Sequence, residues 1–310
     1  NTVNFRGGKV TGGIFGADTE TGSFSGNILN VYNGNLSAST VDNFEKINFN
    51  LPSITNAMTM LNLSSETDFA DVDIGVYLGD NTVSVLNNNE VTLATNVKNS
   101  FDISYYDKGG NDIGYKEKFN LASAQAVKIG YGEEMHLTKD LTTNENDILG
   151  KQDTLYVDDN VNLTLIGETL NKTIAGNGNL IFNGNISTDA DNLANAGKKV
   201  VNSGKTVTFT DGSLTGKMEG EGNLAFATNM DVNADYLANT GTNTINSGKT
   251  LTFIDGKGAY SGEYKKIIYC VVTRLEIAKL KEIVHDTDPK AFIAIGNIHE
   301  VEGGQVKRRR

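Results

Sequence analysis

The sequence predicts a mainly β chain: a parallel β-solenoid-like repeat region, then a small α+β segment at the C-terminus. Three observations carry this. First, Asn and Gly dominate, with 38 Asn and 34 Gly among 310 residues against 2 Pro and no Trp. Both are poor helix formers, and both suit tight turns between short strands. Second, the chain repeats itself at an offset of 44 residues, from Asn202 to Asn246. Third, composition breaks near residue 256. Of the 38 Asn, 37 lie in residues 1–256, and net charge changes from −15 there to +4 over 257–310. A joint shift of this kind separates unlike segments. The expected division is a repeat region at 1–256 and a tail at 257–310.

The N-terminal part opens the pattern. Gly12-Gly13-Ile14-Phe15-Gly16 and the run from Gly22 to Gly34 space apolar residues by two between Gly and Asn. Ile47-Asn48-Phe49-Asn50-Leu51-Pro52 is a further alternating strand. Ser104 to Asp107 and Lys116 to Lys118 read as an exposed loop or insertion. The clearest repeat follows. Asn202-Ser203-Gly204-Lys205-Thr206-Val207-Thr208-Phe209 returns as Asn246-Ser247-Gly248-Lys249-Thr250-Leu251-Thr252-Phe253. Ala190-Asp191-Asn192-Leu193-Ala194-Asn195 and Gly178-Asn179-Leu180 return at the same offset. Within a copy, Leu180 and Phe182, Val207 and Phe209, and Leu251 and Phe253 alternate with polar residues, so one strand face is buried. One such unit cannot cover its own apolar face and must stack on its neighbours. Forty-four residues make about two turns if each takes roughly 20–25 residues. Val207, Phe209, Leu251 and Phe253 are expected at equivalent stacked positions. Stacked antiparallel hairpins are the alternative.

In the tail, residues 265–273 read as a buried strand rich in β-branched residues. Thr273-Arg274-Leu275-Glu276 is a capping box. The helix it starts places Leu275, Ile277, Leu280, Ile283 and Val284 on one face and stops before Pro289. Residues 291–295 form the next strand. Strand, helix and strand are too few for a stable domain alone, so this part is expected to be the least stable.

Composition also excludes classes. A net charge of −11 gives no global attraction to nucleic acid, and none is expected as a partner. Cys270 is the sole cysteine, so neither an internal disulfide nor a cysteine zinc cluster is available. The longest apolar run, residues 267–272, has strand length and falls far short of a membrane span. The chain starts at Asn1 without an initiator Met or signal peptide and reads as a mature or truncated piece.

Two resemblances add to this reading. Phe44-Glu45-Lys46-Ile47-Asn48-Phe49-Asn50-Leu51-Pro52, set among Gly/Asn words and followed by the Asn-Ser-Gly-Lys-Thr repeats, resembles the passenger region of bacterial autotransporter-type surface proteins over residues 1–256. That resemblance implies a secreted solenoid held at the outer membrane by a C-terminal barrel, which this sequence lacks, with host or cell-surface ligands as partners. Lack of Cys in 1–256 agrees with it. The tail is similar to the C-terminal cytoplasmic domain of YitT-type membrane proteins. The matching words are Asp255-Gly256-Lys257-Gly258-Ala259-Tyr260-Ser261-Gly262, Tyr269-Cys270-Val271-Val272-Thr273-Arg274-Leu275-Glu276, Asp288-Pro289-Lys290-Ala291-Phe292 and His299-Glu300-Val301-Glu302-Gly303-Gly304. This second resemblance implies part of a ferredoxin-like fold on an inner-membrane protein, with membrane association only through parts this sequence lacks. The two overlap at Thr252-Phe253-Ile254-Asp255-Gly256, which both completes the repeat and opens the tail. A short shared word is what illegitimate recombination or misassembly leaves, so the chain reads as a chimera.

Residues with chemistry are few. His136, His285 and His299 show no metal spacing and read as surface or helix-end residues. Glu133-Glu134 and Asp158-Asp159 are paired carboxylates of the kind polysaccharide-cleaving solenoids use, yet acidic pairs in turns are usually solvated. Gly109-Gly110-Asn111-Asp112 is the nearest calcium-loop candidate but lacks a repeated nonapeptide. Ser203-Gly204-Lys205-Thr206 imitates the end of a P-loop without its upstream glycine. Gly256, Lys257, Gly258 and Tyr260 form the one ligand-binding candidate: backbone N–H groups and Lys for an anion, Tyr260 for a base. The alternative there is a plain turn. Lys307 to Arg310 reads as a solvated tail, with anionic lipid as the other reading. No catalytic residue, metal or cofactor is expected. The leading reading is a non-catalytic structural or adhesive β-repeat protein with a YitT-like tail. The runner-up is a cytoplasmic regulatory or ligand-sensing domain of a membrane protein, and the third is a polysaccharide-degrading solenoid enzyme.

Overall fold

Period-two alternation and Asn/Gly turns produce a mainly β structure with extensive parallel sheets. This is a computed structural model; it describes residues 1–17, 25–247 and 249, the backbone of 251–253, 256–257 and 264–265, and helical positions 277, 278, 281, 282 and 285. The chain forms two compact units, residues 1–265 and 266–310.

The largest sheet has 12 strands. Its main path runs Thr2–Phe5, Ile28–Tyr32, Lys46–Asn50, Asp73–Tyr77, Val91–Tyr106, Asp112–Lys128, Glu134–Leu137, Thr154–Val157 and Thr173–Gly176. All neighbours on this path are parallel except those flanking Asp112–Lys128, which is antiparallel to both. Two successive reversals restore the direction, so the strands after the hairpin run the same way as those before it. The residues expected as an exposed loop therefore lie inside the sheet. Tyr105 and Glu117 are fully buried, and Ser104 pairs with Lys116. Cross-strand pairing of Phe101 with Phe119, rings stacked at 5.2 Å, overrode the polar look of the local sequence.

Two five-stranded sheets are wholly parallel. One runs Leu141–Thr143, Asn162–Leu165, Asn179–Phe182, Lys199–Val201 and Met218–Gly220. The other runs Thr169–Leu170, Ile186–Asp189, Thr206–Asp211, Asn223–Phe226 and Asn243–Ile245. In each, alternate apolar residues form an inner column. Leu163, Leu180 and Met218 belong to one column, and Ile186, Val207 and Leu224 to the other, all essentially without exposure. Phe209 packs on Phe226 at 5.4 Å, and burying each ring contributes about 1.5–3 kcal/mol.

The stacking step corrects the expected equivalence of repeat positions. Phe209 is in register with Phe226, not with Phe253. Leu251 and Phe253 pair with Met230 and Val232 in a separate two-stranded sheet, and their side chains lie outside the described residues. Leu180 pairs with Lys199, and Lys199 pairs with Met218, which makes two stacking steps within one sheet. Leu224, the repeat mate of Leu180, lies beyond Met218 and in the other five-stranded sheet. One repeat thus comprises two stacking steps plus one move to the next sheet.

Asn serves here for a stereochemical reason: Asn33, Asn35, Asn43 and Asn160 adopt positive φ between strands, and Asn96 and Asn99 adopt it beside register shifts inside Val91–Tyr106, joined among the described non-glycine residues only by Asp71. In the tail, positions 277, 278, 281, 282 and 285 are helical, with Ile277 half-buried and the others exposed. The strands expected at 267–272 and 291–295, and Leu275, Leu280, Ile283 and Val284, lie outside the described residues.

Candidate functional site

Alternation on Glu134–Leu137 sends Met135 and Leu137 into the core and leaves Glu134 and His136 on the outer face. Parallel register brings Tyr156 beside His136, and antiparallel register brings Lys118 beside Glu134. His136 Nδ1 lies 2.7 Å from Asp158 Oδ1, and its Nε2 lies 2.9 Å from Glu134 Oε2. Lys118 Nζ donates to the same Glu134 oxygen at 2.8 Å. The His136 ring stacks on Tyr156 with centroids 5.2 Å apart. Lys118, then His136, hold the Glu134 carboxyl below the usual carboxylate range, and Glu134 in turn raises Lys118. Beside this group lies a cleft of about 510 Å³ lined by His136, Thr138, Tyr156, Asp158, Asp159 and Asn177, among others.

The structure therefore joins residues that sequence reasoning keeps apart. By sequence, Glu134 and Asp158 belong to solvated pairs and His136 reads as a surface residue. His136 is instead only 16% exposed at its side chain and clasped by both carboxylates. The pairing depends on register between strands from successive turns of the chain, for which the sequence carries no local signal. A neutral imidazole donates from one nitrogen; the protonated ring donates to both carboxylates. Among the described residues no group of three or more His, Cys, Asp or Glu is arranged to hold a metal ion.

A second polar group lies inside the same sheet. Glu117 accepts hydrogen bonds from the Tyr105 hydroxyl, Gly130 N (3.1 Å), Gly132 N (2.6 Å) and Gln152 Nε2 (3.0 Å). Burial pushes its carboxyl upward, against the pull of those four donors, and burial also raises the Tyr105 phenol. Closed off from solvent, this network ties the long hairpin to the turns at 130–132 and 152.

The other candidates fare differently. Gly256 and Lys257 form a short antiparallel pair with Tyr264 and Lys265, while Gly258 and Tyr260 lie outside the described residues. Gly109 to Asp112 is the turn of the long hairpin, closed by Asp107, which accepts from Asn111 N and Nδ2 at 2.8 and 2.9 Å. Thr206 opens a strand. His285 is an exposed helical position; His299, Cys270 and residues 307–310 lie outside the described residues.

Comparison with known proteins bears on the tail. Residues 249–303 match the family described as "Uncharacterized protein conserved in bacteria (DUF2179)". Curated relatives include the Bacillus subtilis (strain 168) UPF0750 membrane protein YpjC, 38% identical over 47 residues, which are 15% of this chain and 16% of that protein. Another is UPF0750 membrane protein YdeO of the same organism, 44% identical over 50 residues, 16% of this chain and 17% of that protein. The chain thus spans about a sixth of the length of these relatives. The C-terminal similarity to YitT-type membrane proteins is supported by these matches, which lend nothing to the autotransporter, adhesin or outer-membrane reading of residues 1–256. No solved structure matches the chain.

Proposed function

We propose that the tail serves as a cytoplasmic regulatory or ligand-sensing segment of a YitT-type inner-membrane protein. The observation that carries this is the family match over residues 249–303, with relatives named as membrane proteins. Gly256, Lys257, Gly258 and Tyr260 are its ligand contacts: Lys257 and the flanking backbone for an anionic group, Tyr260 for a stacked base. Titration of the full chain with adenosine monophosphate, and separately with inorganic phosphate, tests it. Binding of the nucleotide that Lys257→Ala weakens supports the reading. No heat with either probe, or heat unchanged in Lys257→Ala, counts against it.

Residues 1–256 support a second reading, a non-catalytic structural or adhesive β-solenoid. Its support is the set of parallel ladders whose partners recur at near-constant spacing. One ladder reads Leu141, Leu163, Leu180, Lys199, Met218, and another reads Ile186, Val207, Leu224, Asn243. Short turns that return each strand beside the last fit a coil with three sides. The two readings place the halves in different compartments, which a chimeric junction explains. One uninterrupted genomic DNA read across codons 245–265 decides that point: an intact junction argues for a natural fusion, and a break there argues for misassembly.

A further inference from the structure

We propose that the cleft beside His136 and Tyr156 is a binding subsite for one ring of a neutral, hydroxyl-rich saccharide. His136, Tyr156 and Ala175 occupy successive positions in one outward row across three parallel strands. His136 stacks on one face of the Tyr156 ring at an interplanar angle of 18°, and the residue aligned with Tyr156 on its other side is Ala175. A methyl side chain cannot cover that face. It stays available to the C–H face of a sugar ring, which packs on an aromatic much as another apolar surface does.

The next row supplies polar partners. Thr138, Asp158 and Asn177 each follow the aligned residues Leu137, Val157 and Gly176, and all three line the cleft. Asp158 gives Oδ1 to His136, while its Oδ2 has no hydrogen-bond partner among the described residues. The Asn177 amide likewise has none among them. One free carboxylate oxygen accepts from sugar hydroxyls, and an amide both donates and accepts, a complement to vicinal diols. His136 holds Asp158 in place, which lowers the ordering cost of binding.

Charge selects the ligand. Lys118 and His136 already face the carboxylates of Glu134 and Asp158. Both carboxylates are already engaged, which favours an uncharged ligand over a metal ion or a basic peptide. The cleft, about 510 Å³, falls within the ordinary range for small-ligand sites, roughly 300–1,000 Å³. This assignment does not depend on the function of the tail.

The test uses the full chain with cellohexaose, maltohexaose and chitohexaose, followed by saturation-transfer NMR and calorimetry. At least one of the three should bind. Tyr156→Ala and Asn177→Ala should each weaken it about tenfold, equivalent to about 1.4 kcal/mol. Tyr32→Ala, on the same sheet but far along it, should leave binding unchanged. Circular dichroism and thermal unfolding verify the fold of each variant, and Asn177→Ala decides alone if Tyr156→Ala does not fold. The proposal is overturned if none of the three binds at millimolar concentration, if binding survives both cleft substitutions, or if hexalysine binds there instead.

Discussion

Lys199 sits where a hydrophobic residue belongs. Register places it between Leu180 and Met218 in an inner column, and it is only 3% exposed. Its Nζ donates to the Asn195 carbonyl, and no carboxylate pairs with it among the described residues. Burial lowers its pKa from 10.5. A Lys depressed in the folded state carries its full penalty at low pH, where both states are charged. Stability then rises as pH climbs from the depressed value towards 10.5, because the unfolded chain holds more protons in that window. Lys199→Met should stabilise the protein by about 1–3 kcal/mol at neutral pH and flatten that rise. Denaturant melts at several pH values check both. Glu117 behaves oppositely. Its raised carboxyl contributes stability that is complete below 4.5 and lost as pH rises through the folded value. Glu117→Gln should cost about 1–3 kcal/mol, since one amide oxygen cannot serve four donors and the new NH₂ opposes N–H groups. Urea titration at constant pH measures it.

At the scale of elements, the turns set the stacking. Gly176 has φ +87°, and a Cβ there would collide with the Val157 carbonyl oxygen. Its repeat mate Gly220 has φ +97° and the same clash with the Val201 carbonyl oxygen. These two turns lie on different sheets yet share one geometry, so they follow the 44-residue repeat rather than the stacking step. Gly176→Ala and Gly220→Ala should each lose about 1–3 kcal/mol, by positive φ plus backbone contact. Thermal unfolding should show similar losses for the two, and a harmless Gly220→Ala would break the equivalence. The strand faces and the Asn-rich turns around them were legible because alternation and positive-φ tolerance are local properties. The candidate site was not. Glu134, His136 and Asp158 meet through strand register, and Glu117 looks solvated beside Lys116 and Lys118 until Tyr105 and the turn at 130–132 enclose it.

At the scale of the molecule, the mismatch between the long sequence repeat and the shorter stacking step is a design rule. Each repeat advances two steps and one sheet, so its apolar residues serve each inner column in turn. Inserting a further copy of residues 202–245 after Ile245 should therefore keep strand content and a cooperative melt, whereas inserting only residues 202–231 should not. Circular dichroism of the two insertions compares them; equal behaviour would refute the rule. Local sequence settles which residues alternate into strands, where Asn and Gly turn the chain, where the composition breaks, and which family the tail resembles. All of these rest on short-range chemistry or on words of the chain. Packing between distant segments sets the rest: repeat mates occupy different sheets, Ser104 to Tyr106 and Lys116 to Lys118 pair in a long hairpin around the buried Tyr105 and Glu117, and His136 stands between two carboxylates beside a cleft. Those outcomes depend on strand register. Packing sets register across distant segments, and no local stretch of sequence encodes it.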